Sequence, residues 1–237
     1  MKRSKRFREL RAKLEAKGYS LNEAIEKTKE LATAKYDETV ELCIKLNIDP
    51  KKSDQLVRGI SNLPHGTGKK KRILVLTKGE KEKEAKEAGA DYIGLEEYIK
   101  KIEKGWSDID VIIATPDVMS SVGKLGKILG PKGLMPSPKI GTVTFEVGTQ
   151  VKALKKGKIE FKTDKTGCLH VSVGKASFEM EKLRANMLTF LEDLLAAKPA
   201  SVKGQFVKSM TISSTIGPGI RLDEKAVLNE VRKGGNL

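Results

Sequence analysis

Apolar and polar positions alternate near both ends of the chain and run together in its middle. Val40, Leu42, Ile44, Leu46 and Ile48 are interleaved with Glu41, Cys43, Lys45 and Asn47. That period of two predicts a strand with one buried face, and Thr39 and Glu41 fall on the other. Leu169, Val171 and Val173 alternate in the same way with Cys168, His170 and Ser172. A third strand sets Phe206, Met210 and Ile212 against Ser209, Thr211, Ser213 and Thr215. Helical spacing lies between these strands. A first helix is expected over 5–17. A second opens with the capping box Ser20-Leu-Asn-Glu23 and stripes one face with Leu21, Ala24, Ile25, Thr28, Leu31 and Ala32. A long helix over about 178–197 carries Met180, Leu183, Met187, Leu188, Leu191 and Leu195 and is closed by Pro199.

The middle follows another rule. Ile73-Leu-Val-Leu-Thr77 and Val111-Ile-Ile-Ala-Thr115 are continuous apolar runs, as expected of parallel strands buried on both faces. Between them come a charged helical segment near 80–88, a short piece at 91–94 and a helical segment near 95–104; another helix is expected near 117–127. Strand and helix alternate here as in a small α/β domain. The pattern reads as an α+β two-domain protein. A discontinuous α+β domain with a half-exposed sheet is built from residues 1–67 and 158–237, and an α/β, Rossmann-like domain is inserted at 68–157.

Length and charge narrow what such a chain does. At roughly 150 residues per domain, 237 residues suit one large or two ordinary domains. No apolar run approaches the roughly 18 residues that span a bilayer, so no membrane partner is expected. The N-terminus is basic but lacks the apolar stretch of a secretory signal. Two cysteines, Cys43 and Cys168, are too few for a disulfide framework and lack metal-ligand spacing, and a reducing cytoplasmic setting is the expectation. The net charge of +15 calls for a polyanionic partner. It is spread evenly, +5, +6 and +4 over 1–67, 68–157 and 158–237, with local clusters in residues 1–20, at Lys69-Lys-Lys-Arg72, and at Lys124, Lys127, Lys132 and Lys139.

The α/β segment invites a nucleotide-binding or enzymatic reading, which the residues do not support. Gly66-Thr-Gly-Lys69 resembles the end of a phosphate loop. Yet position 63 is Leu where Gly is needed, position 70 is Lys where a hydroxyl is needed, and the segment precedes its strand. No GxSxG occurs, no GxGxxG follows a strand, and His65 and His170 form no metal pattern. The expectation is a protein that is not an enzyme and needs no cofactor or metal. A generic, charge-driven nucleic-acid chaperone is the other binding-protein alternative.

Residues 123–142, Gly-Lys-Leu-Gly-Lys-Ile-Leu-Gly-Pro-Lys-Gly-Leu-Met-Pro-Ser-Pro-Lys-Ile-Gly-Thr, are dense in glycine and proline and so fix a backbone path. Read physically, this is a rigid loop closing the α/β domain, or a set of lysines and N–H groups meeting phosphates. The segment closely resembles the signature of the large-subunit ribosomal protein L-one family in its bacterial form. Lys35-Tyr-Asp-Glu-Thr-Val-Glu41, Lys158-Ile-Glu-Phe161 with Asp164-Lys-Thr-Gly167, Val173-Gly-Lys-Ala-Ser-Phe178 and Ser214-Thr-Ile-Gly-Pro-Gly219 match further family blocks in order.

The resemblance implies a structural constituent of the large ribosomal subunit, monomeric off the ribosome, that binds large-subunit (23S) rRNA in the mobile stalk near the E site. It implies help in releasing deacylated E-site tRNA, and repression of translation by binding the mRNA of its own ribosomal-protein operon. Carried onto this chain, the RNA site uses Lys35, Tyr36, Thr39 and Glu41, then Lys165 and His170, then Ser209, Thr215, Ile216 and Gly217. Five of these, Thr39, Glu41, His170, Ser209 and Thr215, are also on the polar strand faces read from alternation alone. Hydroxyls and N–H groups there suit ribose 2′-OH and phosphate oxygens, and Gly217, lacking a Cβ, would let the chain approach RNA closely. Glu41 would accept from a ribose hydroxyl or base amine, or orient Lys35 or Lys45. Tyr36 and Ile216 depart from the family's usual Phe and frequent Met, keeping an aromatic face at the first position and stiffening the second.

Overall fold

The computed structural model describes residues 4–79 and 81–234. Lys2 and Arg3 of the N-terminal basic cluster, Glu80 of the charged helical segment, and residues 235–237 of the C-terminal stretch lie outside them. The protein is mixed α/β, and the chain divides into two compact units: residues up to Gly68 together with those from Ile159 onward, and residues Lys69–Lys158.

In the first unit, α1 (Lys5–Ala12) is capped by the Ser4 hydroxyl, which accepts from the Phe7 N–H. The helix expected over 5–17 stops early. The N–H of Leu14 tightens onto the Arg11 carbonyl, and that of Glu15 donates to the Tyr19 hydroxyl at 2.9 Å instead of continuing the helical ladder. Helix α2 (Leu21–Leu31) has both bonds of its capping box. Its apolar stripe is buried as expected, except that Ala32 is only half covered. Strand β1 (Thr39–Leu46) follows, then β2 (Arg58–Asn62).

The second unit contains β3 (Ile73–Leu76), α3 (Lys81–Glu87), β4 (Tyr92–Ile93), α4 (Glu96–Glu103), β5 (Val111–Ala114), α5 (Met119–Gly123), α6 (Gly126–Leu129) and α7 (Val147–Lys156). Its strands are parallel in the order β4-β3-β5. Leu74, Leu76, Ile112 and Ala114 face one core with Ile102, Val122 and Leu129, while Ile73, Val75 and Ile113 face another with Ala85, Val147 and Val151. Continuous apolar strands are what two such cores demand. The single helix expected near 117–127 is instead a turn of 3₁₀ helix and two short pieces. Gly123 and Gly126 flank the break, where a glycine costs a helix about 1 kcal/mol relative to alanine. In the glycine- and proline-rich segment that follows, Lys124, Lys127, Lys132 and Lys139 are all exposed.

The chain then completes the first unit with β6 (Lys158–Lys162), β7 (Cys168–Lys175), α8 (Met180–Ala196), β8 (Val207–Ser214), β9 (Ile220–Arg221) and α9 (Glu224–Gly234). Strands β2 and β6 pair as a ribbon, and the main sheet runs β7-β1-β8-β9, antiparallel throughout. Leu42, Ile44, Leu169, Val171, Met210 and Ile212 point into one core with residues of α2, α8 and α9. On α8 the buried positions are Leu183, Asn186, Met187, Phe190, Leu191 and Leu194, so Leu188 and Leu195 lie at the margin of the face and not at its centre. Asn186 is fully buried and satisfied. Its Oδ1 accepts from the His65 N–H at 3.0 Å, and its Nδ2 donates to the Gly66 and Val173 carbonyls, both at 2.8 Å.

Candidate nucleic-acid interface

Because helices cover one face of the β7-β1-β8-β9 sheet, period two sends every second side chain to the other. The strand register stacks these into rows. Ser172, Glu41 and Ser213 form one; His170, Cys43, Thr211 and Arg221 form the next; Cys168, Lys45 and Ser209 form the third. Along β1 the polar face runs from Thr39 to Lys45, about 20 Å at roughly 3.3 Å per residue. Glu41 and His170 are exposed, whereas Ser209 is half-buried between its neighbours.

A turn closes each end of this track. At one end, Asp164-Lys-Thr-Gly167 joins β6 to β7. One oxygen of Asp164 accepts from the N–H groups of Thr166 and Cys168, both at 2.8 Å, and from the Thr166 hydroxyl at 2.7 Å. Those bonds, the Cys168 N–H foremost, hold the Asp164 carboxyl down at about 2. Gly167 takes a φ of +76°, which closes the turn and leaves Lys165 exposed at its tip. Lys45 donates to the Thr166 carbonyl, and among the described residues Glu41 makes no ion pair, so Glu41 does not orient Lys45.

At the other end the loop 32–38 meets the turn after β8. Thr215 is exposed, yet its hydroxyl accepts from the Thr39 N–H at 2.9 Å and donates to the Thr39 carbonyl at 3.3 Å. Thr39 in turn accepts from the Lys175 ammonium at 2.9 Å. Glu38, only 1% exposed, ties the two segments together: its carboxylate accepts from the N–H groups of Ala34 at 3.0 Å and Ile216 at 3.1 Å. Burial pushes this carboxyl up, but those two N–H groups, with the nearby Ser214 hydroxyl and the Arg6 charge, outweigh it and leave the group below its ordinary value. The Ser214 hydroxyl itself is buried and does not reach hydrogen-bond geometry.

Lys35 and Tyr36 project from this end, Tyr36 being 54% exposed and Ile216 41%. Arg6 of α1 donates to the Ile216 carbonyl at 3.3 Å. Gly217 is half-buried, and a Cβ there would lie 2.3 Å from the Ser214 hydroxyl. Its lack of a side chain is therefore required within the turn itself.

The ten residues expected to form the site thus occupy one polar sheet face and the turns at its two ends. The alternation put Lys45, Thr211 and Ser213 on the same face, but sequence reasoning did not assign them to the site. Arg221 and Arg6 gave no such signal, because a two-residue edge strand and a docked helix carry little pattern. Glu38 was missed because a carboxylate in a polar loop reads as exposed. Among the described residues no group of His, Cys, Asp or Glu could hold a metal ion, and no helix is long and apolar enough to cross a membrane.

Against this geometry, the model of the ribosomal protein L1p/L10e family matches residues 28–218. The large ribosomal subunit protein uL1 of Kosmotoga olearia is 54% identical over 228 residues, covering 96% of this chain and 99% of its own. The proteins of the same name from Thermosipho melanesiensis and Thermosipho africanus are each 57% identical over 224 residues, covering 94% of this chain and 97% of theirs.

Proposed function

The chain belongs to the ribosomal protein L1p/L10e family, whose members are structural and not enzymatic, and from that membership we propose that the open face of its four-stranded sheet grips large-subunit rRNA on the ribosome in the cytoplasm. One observation carries the reading: the polar rows of β7, β1, β8 and β9 have helices on one side only, and exposed turns bound them at both ends, with Lys35 and Tyr36 at one and Lys165 at the other. On this reading the discontinuous α+β unit is the rRNA-binding domain, and the Rossmann-like α/β unit is an insert in it.

The division of labour follows from chemistry. Tyr36 offers a ring on which an unpaired base stacks. Lys35 and Lys165 contact phosphates, and that contribution weakens with salt. Ser209, His170 and Glu41 line the track with groups able to bond ribose 2′-OH or base edges. Thr215 clamps Thr39, keeping the 215–217 turn in place, and its remaining lone pair is free to accept from a ribose hydroxyl. In the assembled subunit this domain forms the mobile stalk at the E site and promotes release of deacylated tRNA. Off the ribosome the monomer binds a similar fold in its own operon's mRNA and represses translation.

Tyr36 and Lys165 are exposed, so their removal leaves the fold intact. Tyr36→Ala should weaken binding to a fragment of the large-subunit stalk rRNA by about 1–3 kcal/mol, the worth of one stacked base. Lys165→Ala should lower the salt dependence of that binding by about 0.7–0.9 in log–log slope. Isothermal titration across salt concentrations reads both, and wild-type affinity in both variants would refute the assignment.

A further inference from the structure

The insert carries an aromatic groove that the sheet-face reading does not use. Helix α4 ends in a Schellman motif: Gly105 takes a φ of +97°, its N–H donates to the Ile102 carbonyl at 2.9 Å, and the Trp106 N–H reaches back to the Lys101 carbonyl at 3.1 Å. That reversal lays the indole over the last turn of the helix. There it meets Tyr92 from β4, edge-on at 86° with centroids 5.1 Å apart, and Tyr98 from α4, tilted at 35° and 5.6 Å away. All three rings are half-buried, their inner edges packed on the core beneath. The outer sides border an open space of about 400 Å³ lined by Tyr92, Tyr98, Lys101, Lys104 and Trp106. That size is within the usual range for small-ligand sites.

We propose that this groove is a stacking site for an unpaired nucleotide of a single RNA strand. The rings supply faces for a base, and every charged group in the lining is cationic, the complement of a phosphodiester. Lys101 already stands 4.8 Å from the Tyr98 centroid, oriented by Glu97 one turn back on α4, while Lys104 is exposed at the rim. Among the described residues neither carboxylate nor carboxamide lines the groove, so it lacks the side chains that read base edges in pairs. The occupant is therefore bound with little regard to sequence. Among the described residues no glycine-rich phosphate loop lines the groove, and so a strand with its continuous backbone is the fitting ligand, not a free nucleotide. This site is independent of the sheet face and stands or falls without it.

Trp106 is the only tryptophan in the chain, so its fluorescence reports on the groove directly. The full-length protein would be titrated with hexa-adenylate RNA, adenosine monophosphate, inorganic tripolyphosphate and hexaglutamate. Saturable quenching by hexa-adenylate, about tenfold or more tighter than by the mononucleotide and absent with the other two, is expected. Lys101→Ala with Lys104→Ala, both exposed, should weaken it about fivefold and reduce the salt slope by about 1.4. Tyr98→Leu should weaken it about tenfold. If Tyr98→Leu does not fold, the lysine pair decides. Equal quenching by tripolyphosphate or hexaglutamate overturns the proposal, as does equal affinity for the mononucleotide or an unchanged response in the lysine variant. A response lost in Tyr36→Ala but kept in the lysine variant would mean that the signal arises at the sheet face, and would overturn it too.

Discussion

At the scale of single residues, the turn after β8 separates what the fold demands from what RNA demands. Gly217 was expected to bring the backbone close to a ligand, but the space its Cβ would need is already taken by the Ser214 hydroxyl at 2.3 Å. Gly217→Ala should therefore destabilise the protein by about 1–3 kcal/mol, the usual cost of overpacking. Ser214→Ala removes the obstructing atom, which forms no hydrogen bond of its own. In that background most of the cost should vanish, and urea unfolding of the four proteins of this double-mutant cycle measures it. Additive effects would mean that glycine is required there for another reason. The same turn shows why local reading stops short. That Thr215 is polar and outward-facing is visible in the alternation of β8; that its hydroxyl is spent on both backbone groups of Thr39, 176 positions away in sequence, is not.

At the scale of elements, periodicity was a reliable guide to the three long strands of the main sheet and to helices α2 and α8. The rows 39–46, 168–175 and 207–214 were legible because alternation is forced when helices cover one side of a sheet. The capping box of α2 was legible because both of its partners are local. Helix α9 carried an equally local signal that went unread: the Asp223 carboxylate accepts from the N–H groups of Lys225 and Ala226, and Val227 and Val231 recur one turn apart on the buried side. Helix α7, with Val147, Val151 and Leu154 buried, was hidden by its nearness to the glycine-rich segment. Asn186 was illegible for a deeper reason, since a polar residue on an apolar helix face gains its meaning only from distant carbonyls. Asn186→Ala leaves the buried Val173 carbonyl without this partner, and the partly buried His65 N–H and Gly66 carbonyl as well, and should cost about 1–3 kcal/mol in thermal or urea unfolding.

The β6–β7 turn makes a prediction of pH dependence. Asp164 is lowered from 3.8 to about 2 in the folded protein. A depressed carboxyl contributes stability that is complete above its unfolded value and is lost as pH falls through the folded one. The urea midpoint should thus fall between about pH 4 and about pH 2, with Glu38, lowered in the same direction, adding to the loss. Asp164→Asn should flatten that fall while keeping the fold. If it leaves the acid limb unchanged, the turn is not held by the ionised group.

At the scale of the whole molecule, the charge of +15 is a general attraction without an address. It is shared among all three stretches of the chain, and the positions proposed to read RNA are mostly uncharged. A basic protein gripping any RNA by charge and one reading a folded rRNA surface differ in a measurable way: the first has a salt slope and no preference, the second has both. The most direct measurement is the affinity of the full chain for the stalk fragment of large-subunit rRNA, set beside a base-scrambled RNA of equal length, from low to physiological salt. A grip built from hydroxyls, Tyr36 and the 215–217 turn should favour the folded fragment by about 10³-fold or more, and the ratio should widen as salt rises. Equal affinities at every salt concentration would contradict it and leave only the charge.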